Sequence, residues 1–252
     1  MYASWVTRTA AALLIGNELL SGKVAEANLI VLARRLRTLG VDLRRVVMVQ
    51  DDVEVIAGEV RSLAASHDWL FTSGGVGPTH DDVTVIAVAR AFGVEVVRSS
   101  ELEAMIRAHY GERTTEGHLW MADMPKGASL EVSDEVRWPT IRIENVWLLP
   151  GIPEVFRMKL PVATRPLEGG DAPFVSRAVY TKMDEGDLRR LLDRVVAAFP
   201  GVDVGSYPKW MDPRYKTKIT FDGRDAAKVD AARDVFLSDL PPGEPQPDLG
   251  EG

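Results

Sequence analysis

The stretch WLFTSGGVGPTHDDVTVIAVARAF, residues 69–92, decides how the chain is read. Trp69 to Thr72 is a short apolar run with the length of a buried strand. Gly74 and Gly75 break it. From Val83 to Phe92 the apolar spacing is helical. A buried strand, a glycine loop and a helix in immediate succession form the core of an α/β unit.

The flanking sequence repeats that alternation. Residues 10–15 form a buried strand ending at Gly16. Leu29, Leu32, Ala33, Leu36 and Leu39 lie on one helical face, and Gly40 stops that helix. Residues 41–49 read as a strand. Val53, Ile56, Ala57, Val60 and Leu63 form a second helical stripe, with Asp51 or Asp52 as its N-cap. Residues 94–97 form a strand candidate, 101–110 a helix, 140–149 a strand, and 154–160 a helix behind Pro150-Gly151-Ile152-Pro153. Residues 113–139 show no regular pattern. The expected fold is a three-layer α/β/α arrangement around a mostly parallel sheet. Ligands in such folds sit beyond the carboxyl ends of the strands.

Residues 1–164 are assigned to this large domain and 165–173, rich in Pro and Gly, to a linker. A small α+β domain follows over 174–240. It is built from strands at 174–181 and 215–221, a helical stripe from Leu188 to Phe199, and a helix at 225–237. The Pro-, Gly- and acid-rich residues 241–252 read as a disordered tail.

Composition narrows the chemistry. The chain has 252 residues, with 30 Lys plus Arg against 37 Asp plus Glu, a formal net charge of −7. That balance argues against nucleic acid or a membrane surface as partner. Cysteine is absent, which excludes disulfides, thiolate-bound metals and thiol nucleophiles. No apolar run has transmembrane or signal-peptide length, so the expected location is cytoplasmic.

Two loops fall at the carboxyl edge of the sheet. The first, Ser73-Gly74-Gly75-Val76-Gly77-Pro78-Thr79-His80-Asp81-Asp82-Val83-Thr84, lets backbone N–H groups converge at the positive end of a helix, which suits phosphate. Asp81 and Asp82 beside a bound phosphate would call for a cation. The plainer alternative is a tight turn with an Asp cap. The loop is neither a Walker A sequence nor a dinucleotide fingerprint, because no Gly-Lys-Ser/Thr follows and the third glycine position is His80. The second loop, Gly16-Asn17-Glu18-Leu19-Leu20-Ser21-Gly22-Lys23, offers polar groups for a ligand or forms a simple capped turn. Asp51-Asp52 is a helix cap or a metal ligand. His67, His80, His109 and His118 show no ligand spacing.

These two loops, with Asn28 and with Leu149-Pro150-Gly151-Ile152-Pro153-Glu154, resemble the N-terminal domain of the CinA (competence/damage-inducible) family. The same domain is similar to the N-terminal part of eukaryotic FAD synthases and to molybdopterin-binding domains. The resemblance covers residues 8–160, and Gly205-Ser206-Tyr207-Pro208 extends it to a small domain described in CinA as KH-like. No Gly-x-x-Gly clamp accompanies it. Residues 133–141 depart from the CinA pattern and are closer to the FAD-synthase version, which favours FAD or another dinucleotide over ADP-ribose.

The resemblance implies metal-dependent hydrolysis of the pyrophosphate bond of a nucleotide such as FAD or ADP-ribose, with release of AMP. The alternative is a module that binds molybdopterin or a nucleotide without turnover. Carried over by residue, Asp81 and Asp82 would be catalytic, and Asp51 with Asp82 would hold a divalent metal, Mg²⁺ or Co²⁺. Potassium would be a further ion. Ser73, Gly74, Gly75, Gly77, Pro78, Thr79, Thr84, Pro150 and Gly151 would form the phosphate side of the site. Asn17, Glu18, Ser21, Gly22 and Asn28 would form the opposite wall. The expected partners are a nucleotide or pterin and a second copy in a homodimer.

Overall fold

The structure is a computed structural model that describes residues 8–246. Along the chain run β1 (Thr9–Ile15), α1 (Asn17–Leu20), α2 (Asn28–Thr38), β2 (Asp42–Val49), α3 (Val53–Ser66), β3 (Trp69–Ser73), α4 (Thr84–Phe92), β4 (Val96–Arg98) and α5 (Ser100–Tyr110). Then follow α6 (Glu116–Trp120), β5 (Asp123–Pro125), β6 (Ser129–Glu131), β7 (Thr140–Ile143), β8 (Val146–Leu149) and α7 (Pro153–Thr164). A 3-10 turn, Arg165–Leu167, precedes β9 (Val175–Thr181), α8 (Glu185–Ala198), β10 (Asp203–Pro208), β11 (Thr217–Gly223) and α9 (Ala226–Ser238). No helix among the described residues is long and apolar enough to cross a membrane.

Two compact units divide between Asp171 and Ala172. The first is built on a six-stranded sheet in the order β2-β1-β3-β8-β7-β6. Its first four strands are parallel, and β7 and β6 join antiparallel. All seven residues of β1 are buried, as a central strand covered on both faces requires. Ala11, Leu13 and Ile15 pack with Ile56, Val60 and Leu63 of α3 and Ala87 and Val88 of α4. Ala10 and Ala12 pack on the other face with Leu32 and Leu36 of α2 and Phe156, Leu160 and Ala163 of α7. The period-2 alternation of one strand thus feeds two helical layers. Each fully buried Leu, Ile or Phe contributes about 1.5–3 kcal/mol.

The segment 140–149 corrects the expectation of one strand. It is a hairpin, β7 and β8, in which Ile143 pairs with Val146. Glu144 takes a positive φ of 49° in the two-residue turn Glu144-Asn145. The Asn145 side chain donates from Nδ2 to the carbonyls of Ala64 and His67, both at 2.9 Å. Those carbonyls lie at the C-terminal end of α3, where helices leave acceptors unpaired. The residues expected to be irregular, 113–139, contain α6, β5 and β6. β4 and β5 pair antiparallel, and Leu102, Ile106, Leu119, Ala122 and Met124 form a small core beside them.

The second unit is a three-stranded antiparallel sheet in the order β10-β11-β9, with α8 and α9 packed on it. Its core gathers Val179, Leu188, Val195, Ile219, Phe221 and Phe236. The expectation of disorder across 241–252 is corrected in part. The backbone N–H of Gln246 donates to Tyr180 O at 2.8 Å, and Glu244 accepts from the Lys182 N–H at 2.9 Å. Residues 247–252 lie outside the described residues.

The parallel strands deliver three chain ends to one point. Gly74 N donates to Leu149 O at 3.1 Å, and Gly16 N donates to Val49 O at 3.1 Å. Gly74 has φ 108°, and a Cβ there would stand 2.1 Å from the Ile15 carbonyl oxygen. No side chain fits that position.

Two variants test this architecture. Gly74→Ala is expected to destabilise the first unit by more than about 1 kcal/mol, read as a fall in the denaturant midpoint, because the residue needs both a positive φ and the missing Cβ. Asn145→Ala strands two carbonyls and is expected to cost about 1–2 kcal/mol, or several degrees in Tm. A wild-type midpoint in either variant contradicts the corresponding contact.

Candidate functional site

The glycine loop runs from the end of β3 to the start of α4 and is stapled from below by Thr84. The buried Thr84 hydroxyl donates to Gly74 O at 2.9 Å, and Thr84 N donates to Gly75 O at 2.9 Å. Gly75 sits at φ 67°, where a Cβ would meet Thr84 Oγ1 at 2.3 Å. α4 begins without a side-chain cap. The backbone N–H groups of Gly75, Val76 and Gly77 meet no acceptor among the described residues. Open amides beside an uncapped helix N-terminus make a local positive potential.

Thr79 joins the two acids of the loop. Its backbone N–H donates to Asp82 Oδ2 at 2.8 Å. Its hydroxyl lies 2.6 Å from Asp81 Oδ1 and 2.6 Å from Asp82 Oδ2. A hydroxyl has one proton, so it serves one carboxylate at a time. The Thr79 hydroxyl holds the Asp81 carboxyl below the usual aspartate range. His80 is exposed, its Nδ1 3.9 Å from Asp81 Oδ1.

The neighbouring β-ends add more negative charge. Asp51, after β2, accepts from the Asn17 N–H at 2.8 Å. Burial pushes its carboxyl up; the Asn17 bond opposes that, and the charges of Glu18, Asp81 and Asp82 add to the rise. Asp52 is the cap of α3, accepting from Glu54 N and Val55 N. Asp51 thus feels the charge of three neighbouring acids, although no three His, Asp or Glu side chains among the described residues converge as a metal cage. Such a set fits a hard cation that takes one or two carboxylates and completes its shell from phosphate oxygens and water.

Asn28 ties the loops together. It is buried, and its Nδ2 donates to Ser73 Oγ at 2.9 Å and to Gly151 O at 2.8 Å. One residue thereby joins the start of α2, the glycine loop and the Pro150-Gly151 turn. Asn28 Oδ1 is buried and meets no partner among the described residues.

Two cavities of about 440 and 380 Å³ flank the loop and share Val76, Gly77, Asp82, Met121 and Ile141. The larger is lined by Glu18, Gly74, Gly75, Pro78, Pro150 and Gly151 among the expected residues. Thr79 lines the smaller, with His80 and Trp120. Asn17, Ser21, Gly22, Asn28, Asp51, Ser73, Asp81 and Thr84 line neither. Ser21 instead donates to Glu18 O at 3.3 Å within its own turn, and Ser73, Thr84 and Asn28 hold the loop from behind.

Sequence reasoning missed Trp120, Trp138, Pro139 and Lys159 as cavity walls. Only Lys159 left a signal: a lone charge three residues after Phe156 and next to Leu160 on the apolar face of α7.

A family profile described as "Probable molybdopterin binding domain" matches residues 11–168, and one described as "FAD synthase, middle domain" matches residues 173–248. A "Probable FAD synthase" of Caenorhabditis briggsae is 31% identical over 260 residues, covering 92% of this chain and 49% of that protein. The chain thus spans about half the length of that relative. A "CinA-like protein" of Desulfosudis oleivorans is 30% identical, covering 75% of this chain and 49% of its own. The crystal structure of "the protein CinA with unknown function" from Thermoplasma acidophilum superposes with a TM-score of 0.59 at 28% identity, over 64% of this chain and 98% of that one. The second unit is similar to FAD synthase middle domains, and the chain belongs to the CinA-like molybdopterin-binding family.

Proposed function

We propose that the first unit binds the pyrophosphate of a dinucleotide such as FAD or ADP-ribose at the glycine loop and hydrolyses it, releasing AMP. One observation carries this reading: two carboxylates share the single Thr79 proton beside a row of open amides. That arrangement suits a site completed by a cation and an anion together.

The amides of Gly75, Val76 and Gly77 would hold non-bridging phosphate oxygens and stabilise the charge that grows on them. Asp81, kept ionised by Thr79, would accept a proton from a water whose oxygen attacks one phosphorus, while the bond from that phosphorus to the bridging oxygen breaks. Asp82, with Asp51, would hold the divalent cation, Mg²⁺ or Co²⁺, which when bound polarises the phosphoryl group. Glu18 closes the far wall of the larger cavity. The FAD synthase names of relatives, and the form of residues 133–141, favour FAD over ADP-ribose as substrate.

A second reading is binding of a nucleotide or phosphorylated pterin without turnover, which the family description of residues 11–168 as a probable molybdopterin binding domain favours. Incubation with FAD, ADP-ribose and NAD, with Mg²⁺ or Co²⁺ and with K⁺, separates the two by mass spectrometry. AMP is expected, and its complete absence with every substrate overturns hydrolysis. Asp82→Asn is expected to lower the rate by about 100-fold or more; an unchanged rate removes Asp82 from the chemistry. Thr79→Val removes the bond that holds the Asp81 carboxyl low, so the acid limb of the pH–rate profile is expected to move to higher pH. A shift downward, or none, contradicts the role given to Asp81.

A further inference from the structure

Among the described residues lining the larger cavity, the charged groups are Glu18, Asp82 and Lys159. Two of them are acids, in a cavity also bordered by the glycine-loop residues Gly75, Val76 and Gly77. The remaining charged side chain is a cation with no carboxylate of its own. Lys159 lies on α7 and is only 6% exposed. Its Nζ donates to Trp138 O at 3.3 Å and to Pro139 O. Both carbonyls belong to the cavity wall. They are neutral acceptors, and an ammonium has three protons to place.

A buried ammonium without a counter-charge is unfavourable. Methionine or leucine would fill the same face of α7, between Phe156 and Leu160, without that cost. Burial alone pushes the Lys159 ammonium down to about 8. The elements packed on α7 carry Arg34, Arg35 and Arg37 on α2, Arg142 on β7 and Arg165 in the following turn. None of them, and neither Glu18 nor Asp82, contributes to that shift. The two carbonyls meet part of that cost, and an anionic ligand in the cavity would meet more of it.

We propose that Lys159 is the phosphate receptor of the larger cavity, its ammonium meeting an anionic phosphoryl oxygen of the ligand held at the glycine loop. This rests on the reading that the loop binds phosphate, and it narrows the ligand to one with a charged phosphate or pyrophosphate reaching the Trp138-Pro139 wall. The two carbonyl bonds orient the ammonium, and the third proton is the one offered to the ligand. The glycine loop and Lys159 would then grip the anion from two sides, across from Glu18 and Asp82.

Binding an anion beside this lysine restores its proton, which gives a signature that a wall-pinning lysine would lack. Calorimetric titration with ADP at about pH 8.5, with Mg²⁺, in two buffers of different ionisation enthalpy, measures proton uptake. The wild type is expected to take up roughly half a proton or more per ADP bound. ADP carries no titrating phosphate proton at that pH. Lys159→Met is expected to abolish the uptake and weaken ADP binding by about 10–100-fold. Lys159→Arg is expected to keep most of the affinity without the uptake. ADP binding by the wild type with no proton uptake overturns the receptor role and leaves the nucleotide reading standing. Wild-type affinity in Lys159→Met does the same. Failure of the wild type to bind ADP at all overturns both. The wild-type measurement decides even where a variant fails to fold.

Discussion

The close approach of Gly74 to the end of β1 is the constraint on which the site depends. A side chain at Gly74 would collide with the Ile15 carbonyl, and Gly151 packs against the same glycine, its own Cβ position 3.3 Å from the Gly74 Cα. Three parallel strands thus end against one another with backbone in contact. Only there can amides of the glycine loop, Glu18 after β1 and Pro150-Gly151 after β8 border one cavity. Asn28 locks the arrangement by bonding both Ser73 and Gly151, so the loops share a rigid frame before any ligand arrives. Preorganised dipoles of this kind stabilise charge without reorganising at the moment of reaction.

Charge is deliberately unbalanced at that point. Thr79 has one hydroxyl proton for two carboxylates, and Asp51 is raised by burial and by its acidic neighbours. Across the cavity, Lys159 is buried without an acid. Each half of the site is unfavourable alone. A cation beside the aspartates and an anion between the amides and Lys159 would settle both. Like charges close together in a partly buried site disfavour full ionisation unless an opposite charge joins them.

The sheet, its two helical layers and the glycine loop were legible because long stripes such as Val53–Leu63 and Leu29–Leu39 have one strong period. The β7–β8 hairpin was not, because its turn is Glu144-Asn145, with no glycine to announce a positive φ, and because Asn145 is fixed by Ala64 and His67 some 80 residues away in sequence. Strand β10 was not assigned either; it is an edge strand that holds Gly205 and Pro208, which edge strands tolerate. At the site, residues adjacent in sequence such as Asp81 and Asp82 were found as a pair. The roles of Asn28 and Ser73 as ties behind the loop, and of Lys159 as a wall, arise from contacts across 20 to 123 positions that no local pattern encodes.

The central claim is that the acids around Thr79 and the glycine-loop amides form one site for a cation and a pyrophosphate. A crystal grown with ADP and Mn²⁺, with the manganese located by its anomalous signal, tests it most directly. The account predicts manganese bound to Asp82 and to a phosphate oxygen of ADP, with the diphosphate against Gly75, Val76 and Gly77. ADP seated elsewhere, or manganese away from both Asp82 and the diphosphate, would contradict it.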